Sequence, residues 1–150
     1  MIERVGVTRI PSFSGERLRL ARLDRNWSQG RLAAALDVSS STIGQWERGV
    51  RTPEPPLFVA LAEALKLDPG ALLAVPVEQF ALAELRVTAG LRQRDVALQL
   101  GVGQGRISNV ESGYERLSDD MTQELARAYN TTPEQVASAW ERGRDRLLKH

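Results

Sequence analysis

The side chains able to do chemistry in this chain are amides, hydroxyls and guanidiniums, gathered in two similar segments 64 positions apart. The first segment carries Gln29, Ser40, Ser41, Gln45, Arg48 and Arg51; the second carries Arg92, Gln93, Arg94, Gln104, Arg106 and Asn109. Cysteine is absent, and the single histidine is the terminal His150. Thiolate or histidine catalysis, a disulfide framework and a zinc site are therefore excluded, and neither an enzyme activity nor a cofactor is expected. The chemistry left is recognition. Gln and Asn can pair with adenine through two hydrogen bonds, Arg with guanine, and Ser with several base edges. Arginines and the N–H groups of a helix start suit phosphate.

The elements that must position these groups come from a repeat. From Gln29 the chain reads Q-G-R-L-A-A-A-L-D-V-S-S-S-T-I-G-Q-W-E-R-G, and from Gln93 it reads Q-R-D-V-A-L-Q-L-G-V-G-Q-G-R-I-S-N-V-E-S-G. A shift of 64 aligns residues 18–73 with 82–137 without a gap, keeping Arg22/Arg86, Gln29/Gln93, Ala33/Ala97, Leu36/Leu100, Ile43/Ile107, Glu47/Glu111 and Gly49/Gly113 identical. Each copy describes two short helices joined by a tight turn, a geometry that lets the second helix enter the DNA major groove. Ala33 and Ala97 fall where the two helices cross and small size is required. Asp37 and Gly101 occupy the turn, where a left-handed conformation is expected.

Within the second helix of each pair, Val38, Ile43 and Trp46, and likewise Val102, Ile107 and Val110, form the inward face. That leaves Ser40, Ser41, Gly44, Gln45 and Arg48 outward in the first copy, and Gln104, Gly105, Arg106, Ser108, Asn109 and Ser112 in the second, the glycines permitting close approach. Gln29 and Gln93, at helix N-termini, are placed to meet phosphate. Arg31, Arg51, Arg92 and Arg94 add salt-dependent contacts.

Cap residues punctuate the rest into an all-α chain. Ser14, Ser28 and Ser39 each open a helix, ending near Asn26, Leu36 and Arg48; Thr52-Pro53 opens a fourth helix and Asp68-Pro69 a short fifth. The second copy repeats the scheme, with Pro76 near its first helix, Ser118 capping its fourth and Thr132-Pro133-Glu134-Gln135 forming a capping box for the last. The predicted organisation is an arm over 1–13, helix-turn-helix domains over 14–75 and 76–137, and a basic helical extension over 138–150. About five residues, 74–78, join the domains and span under roughly 20 Å. The arm places Arg4 and Arg9 among apolar residues. In the extension, Val136, Trp140, Gly143 and Leu147 share one face, while Arg142, Arg144, Arg146 and Lys149 are basic. Packing on its own domain is favoured there over a dimer contact or a phosphate-binding tail. Trp27, Trp46 and Trp140 read as core residues.

The formal charge of +1, from 20 basic and 19 acidic residues, says little about nucleic acid, because a DNA binder needs only a basic face. No apolar run follows a basic segment at the N-terminus and no stretch of about 18 apolar residues occurs. No membrane association is expected, and the protein is expected to stay in the cytoplasm.

The first copy's W-S-Q-x-x-L-A-x-x-L-x-V-S-x-S-T-I-x-x-W-E-R-G-x-R-x-P resembles the five-helix Cro/C1-type, lambda-repressor-like helix-turn-helix family, also called the XRE family. The resemblance covers both repeats. It implies two consecutive five-helix domains, Gln29 as a phosphate contact, Ser40, Ser41 and Gln45 as base-facing residues, and Arg51 as a backbone clamp. The second copy departs from the pattern: Arg92 replaces the capping Ser28, Gly103 replaces Ser39, and Glu115 replaces Arg51. Glu115, Asp119 and Asp120 would oppose phosphate, with Arg92, Arg94 and Arg106 available to compensate. The implied function is sequence-specific double-stranded DNA binding in transcriptional regulation, repression by family analogy, with both copies as readers. The alternative is a protein-interaction module, such as an antitoxin or regulatory adaptor, whose second repeat binds a regulatory protein; a homodimer is a further option.

Overall fold

The computed structural model describes Ile10 and residues 12–149. Most of the arm, including Arg4 and Arg9, and the terminal His150 lie outside the described residues. The chain divides into two units, residues 1–74 and 75–150. Among the described residues the helices are nine, and the extended pairing is a single bridge between Phe13 and Leu73. None of these helices is long and apolar enough to cross a membrane.

In the first unit, α1 (Gly15–Asp24) starts where Ser14 Oγ accepts the Arg17 N–H at 3.1 Å. It stops short of the expected Asn26, which takes a left-handed conformation (φ 58°) outside the helix. Helix α2 (Gln29–Leu36) is capped by Ser28 and ended by Asp37 in the left-handed region (φ 58°, ψ 44°). Helix α3 (Ser40–Glu47) is capped by Ser39, whose Oγ accepts the Thr42 N–H. The fourth helix starts two residues later than Thr52-Pro53 predicts. Glu54 precedes Pro55, and ring sterics push a residue before proline out of the helical region, so Glu54 is extended (ψ 156°) and α4 runs Pro55–Ala64. The Thr52 hydroxyl instead accepts the Ile10 N–H at 3.1 Å. The predicted short fifth helix is one 3-10 turn, Pro69–Leu72. Leu18, Leu32, Ile43, Phe58, Leu61, Leu65, Leu72 and Leu73 form the core, all essentially inaccessible. The unit's two ends are tied together, Ser14 N to Leu72 O and Ala74 N to Ser12 O.

The second unit opens with a 3-10 turn, Val77–Gln79, in place of a linker and a helix start at Pro76. Helix α5 (Leu82–Thr88) begins only after Ala81, whose N–H is accepted by the Glu84 carboxylate at 2.7 Å, the side-chain half of a capping box. Then follow α6 (Gln93–Leu100), α7 (Gln104–Ser112), α8 (Asp119–Ala128, capped by Ser118) and α9 (Pro133–Leu148). Gly101 takes the left-handed turn position (φ 72°, ψ 33°) that Asp37 takes in the first unit. Helix α9 continues unbroken through 138, so the basic extension is its second half. Val136 and Gly143 are buried and Trp140 and Leu147 half-buried, so the predicted stripe faces the unit's own core. Its arginines are used internally: Arg142 donates to Phe80 O at 2.8 Å, Arg144 to Gly113 O, and Arg146 to Gln79 O.

Candidate nucleic-acid interface

Each helix-turn-helix pair is built on the same buried polar core. Arg22 Nε donates to Glu47 Oε2 at 2.6 Å, Arg22 Nη2 to Glu47 Oε1 at 3.0 Å, and Arg22 Nη1 to the Trp27 carbonyl at 2.8 Å. Arg86 repeats this with Glu111 at 2.6 and 3.3 Å and with Leu91 O at 2.9 Å. Both arginines are buried. In water such a pair is worth little, but here each guanidinium is countered by a bidentate carboxylate and a carbonyl, which meets the burial requirement. The Glu47 hydrogen bond holds Arg22 above its ordinary value against the desolvation. Burial alone would raise the Glu47 carboxyl; the hydrogen bonds from Arg22 and Gln29, with the Arg22 charge, outweigh it and hold the group below its ordinary value.

The same carboxylates fix the predicted phosphate-contacting amides. Gln29 Nε2 donates to Glu47 Oε1, and Gln93 Nε2 to Glu111 Oε1, both at 3.1 Å. A buried ion pair thus ties the first helix of each unit to the last residues of its recognition helix and orients the glutamine at the start of the helix between them. Sequence reading did not find this network. Its signal was present, since Arg22/Arg86, Gln29/Gln93 and Glu47/Glu111 are polar, are not caps, and recur unchanged at the repeat spacing.

On α3, Ile43 and Trp46 are buried as expected, and Ala33 beneath them is 3% exposed. Ser40, Ser41 and Arg48 are exposed and Gln45 is half-buried. Ser41, Gln45 and Arg48, at i, i+4 and i+7, share one stripe. Gly44 is not an outward position: it is buried, and a Cβ there would lie 3.6 Å from Gln29 Oε1 and 3.0 Å from Arg48 Nη1. It is the bed for two other side chains rather than a surface for a groove. After α3 the Gln45 carbonyl accepts the Val50 and Arg51 N–H groups at 3.0 and 3.4 Å, which brings exposed Arg51 back beside the recognition helix. Trp27 is half-buried rather than core, with Arg31 and Arg25 lying 4.8 and 5.7 Å from its ring centre.

On α7, Ile107 and Val110 are buried, and Gln104, Gly105, Arg106, Asn109 and Ser112 are exposed; Ser108 is half-buried. The Asn109 carbonyl accepts the Tyr114 and Glu115 N–H groups, the same turn as in the first unit, and leaves Tyr114 exposed. The second set of cations is less available than its composition suggests. Arg106 Nε is bonded to Glu115 Oε2 at 2.7 Å and Arg92 lies 3.6 Å from Asp95, while Arg94 is exposed. Asp95 also accepts the Arg92 N–H at 2.8 Å, the reverse of the bond in the first unit, where Ser28 Oγ accepts the Arg31 N–H at 3.0 Å. Tyr129 stands where the first unit has Leu65, its hydroxyl buried without a hydrogen-bond partner among the described residues; burial, then the Glu111 charge, pushes the phenol up.

Among the described residues no group of three or more histidines, cysteines or carboxylates could hold a metal. What both units offer is a polar helix face on a rigid base, flanked by arginine. A family model described as Helix-turn-helix matches residues 18–72 and again residues 82–136. No curated protein gives a match. The chain belongs to the Cro/C1-type, XRE helix-turn-helix family, and is a DNA-binding regulator with two such all-α domains in tandem.

Proposed function

We propose that this regulator is a repressor that occupies one continuous operator with both units, the first supplying most of the charge-driven affinity. The observation carrying the proposal is the repeated anchor of Arg, Glu and Gln under each recognition helix, which supports outward Ser40, Ser41 and Gln45 in one unit and Gln104 and Asn109 in the other. Gln45 and Asn109 carry amides suited to adenine. Arg48 and Arg51 bring charge to the first face, and Arg94 to the second. The units adjoin in the chain at residues 74 and 75, which favours neighbouring groove faces, roughly 34 Å apart along the duplex, over distant sites.

The test is a DNA selection with the whole chain, followed by footprinting and binding at several salt concentrations. Gln45→Ala should relax discrimination at one base pair. Arg51→Ala should weaken all sequences alike and make the salt slope shallower by about one. The footprint should shrink when Gln104 and Asn109 are both replaced by Glu. An unchanged footprint, affinity and salt slope for that last variant would refute a tandem reader and favour a protein-binding second unit.

A further inference from the structure

At equivalent places in the repeat the first unit has Thr42 and Arg51, and the second has Arg106 and Glu115. Arg51 is exposed and makes no ion pair among the described residues. Arg106, the single arginine of α7, is bonded through Nε to Glu115 Oε2 at 2.7 Å, with both side chains at the surface, 48% and 33% exposed. Glu115 is no loose surface acid. Its N–H donates to the Asn109 carbonyl and its own carbonyl accepts the Trp140 Nε1–H, each at 3.2 Å, so α7 and α9 both hold its backbone.

We propose that Glu115 is an affinity- and specificity-determining residue: an internal stand-in for DNA phosphate that occupies Arg106 and keeps the second unit from binding DNA by charge alone. This rests on the second unit facing DNA, as proposed above. A carboxylate and a phosphate compete for the same guanidinium fork. With its Nε taken, Arg106 can offer a phosphate the full fork only if Glu115 is displaced, and displaced or not the carboxylate repels the backbone. Gln104 and Asn109 are left to read bases without a charged anchor on their own helix. The second unit adds discrimination while contributing little sequence-independent attraction, so it engages once the first unit has brought the duplex to it.

Each phosphate contact adds about 0.9 to the salt slope, roughly eightfold in affinity per tenfold dilution of salt. The experiment measures binding of the intact chain to its selected site and to an unrelated duplex, from low to high salt. Glu115→Gln should steepen the slope by about one and tighten both complexes, with the larger gain on the unrelated duplex. Glu115→Arg, which places the first unit's residue there, should extend the gain to a slope change of about two. Adding Arg106→Ala to Glu115→Gln should abolish it. If both Glu115 variants leave slope and affinity unchanged while Gln104→Ala or Asn109→Ala still loses base discrimination, Glu115 does not control Arg106 and the proposal falls, with the tandem reader intact. If none of the four substitutions alters binding, the second unit is off the DNA and the tandem reader falls with the proposal.

Discussion

Replacing Glu47 by Gln should cost the first unit about 3–5 kcal/mol. The Glu47 side chain is 4% exposed and that of Arg22 9%, and the carboxylate accepts from Arg22 Nε, Arg22 Nη2 and Gln29 Nε2. An amide keeps one acceptor oxygen and turns an NH2 toward groups that are all donors. The guanidinium then stays buried without its counter-charge, which is the costly way to break such a pair. A unit of this size is stable by only about 4–11 kcal/mol at ordinary per-residue values, so the loss is a large share of the total. Urea unfolding followed by tryptophan fluorescence reads it directly, because Trp27 and Trp46 lie in the first unit and only Trp140 in the second. Arg22→Met combined with Glu47→Leu should be more stable than Glu47→Gln alone, since no charge is left unpaired, and the pair should couple by about 0.5–3 kcal/mol. A loss under about 1 kcal/mol, the level of an exposed ion pair, or strictly additive single and double variants, would refute the inference that this network holds the reader in place.

Ala33→Leu and Ala97→Leu should each destabilise their own unit by about 1–3 kcal/mol through overpacking at the helix crossing; unchanged melting would mean that the crossing is not close. Gly143→Ala should also destabilise, because its Cβ would lie 2.9 Å from the Glu111 carbonyl oxygen, whereas Gly30→Ala, whose Cβ would meet only Ser28 Oγ at 3.8 Å, should not; thermal melts of the two alanine variants separate these cases. The Glu47 carboxyl is depressed in the folded state, so its contribution is complete above the unfolded value near 4.5 and is lost as pH falls through the lower folded value. The melting gap between the wild type and Glu47→Gln should therefore be widest at neutral pH and narrow below about 4.5; a gap that stays constant into acid would contradict it.

Local rules in the sequence settled what depends on one turn of chain. Ser14, Ser28, Ser39 and Ser118 cap helices because an exposed hydroxyl meets an unpaired N–H a few residues away, and Asp37 and Gly101 turn left-handed because the chain must reverse there. The repeat spacing likewise gave two helix-turn-helix units and the inward Ile43, Trp46, Ile107 and Val110, since periodic apolar positions leave one face to bury. The tertiary structure decided what depends on residues far apart in the chain. Gly44 is covered by Gln29, Arg106 is taken by Glu115, and Arg142 and Arg146 reach back to Phe80 and Gln79. Two glycines from opposite ends of their units, Gly15 at the start of α1 and Gly143 late in α9, each lie against the carbonyl at the C-terminal end of a recognition helix, Glu47 in one and Glu111 in the other. No helical period or cap rule encodes such a meeting. It exists only once packing has brought distant backbone within van der Waals reach, and it is there that a side chain's availability for DNA is decided.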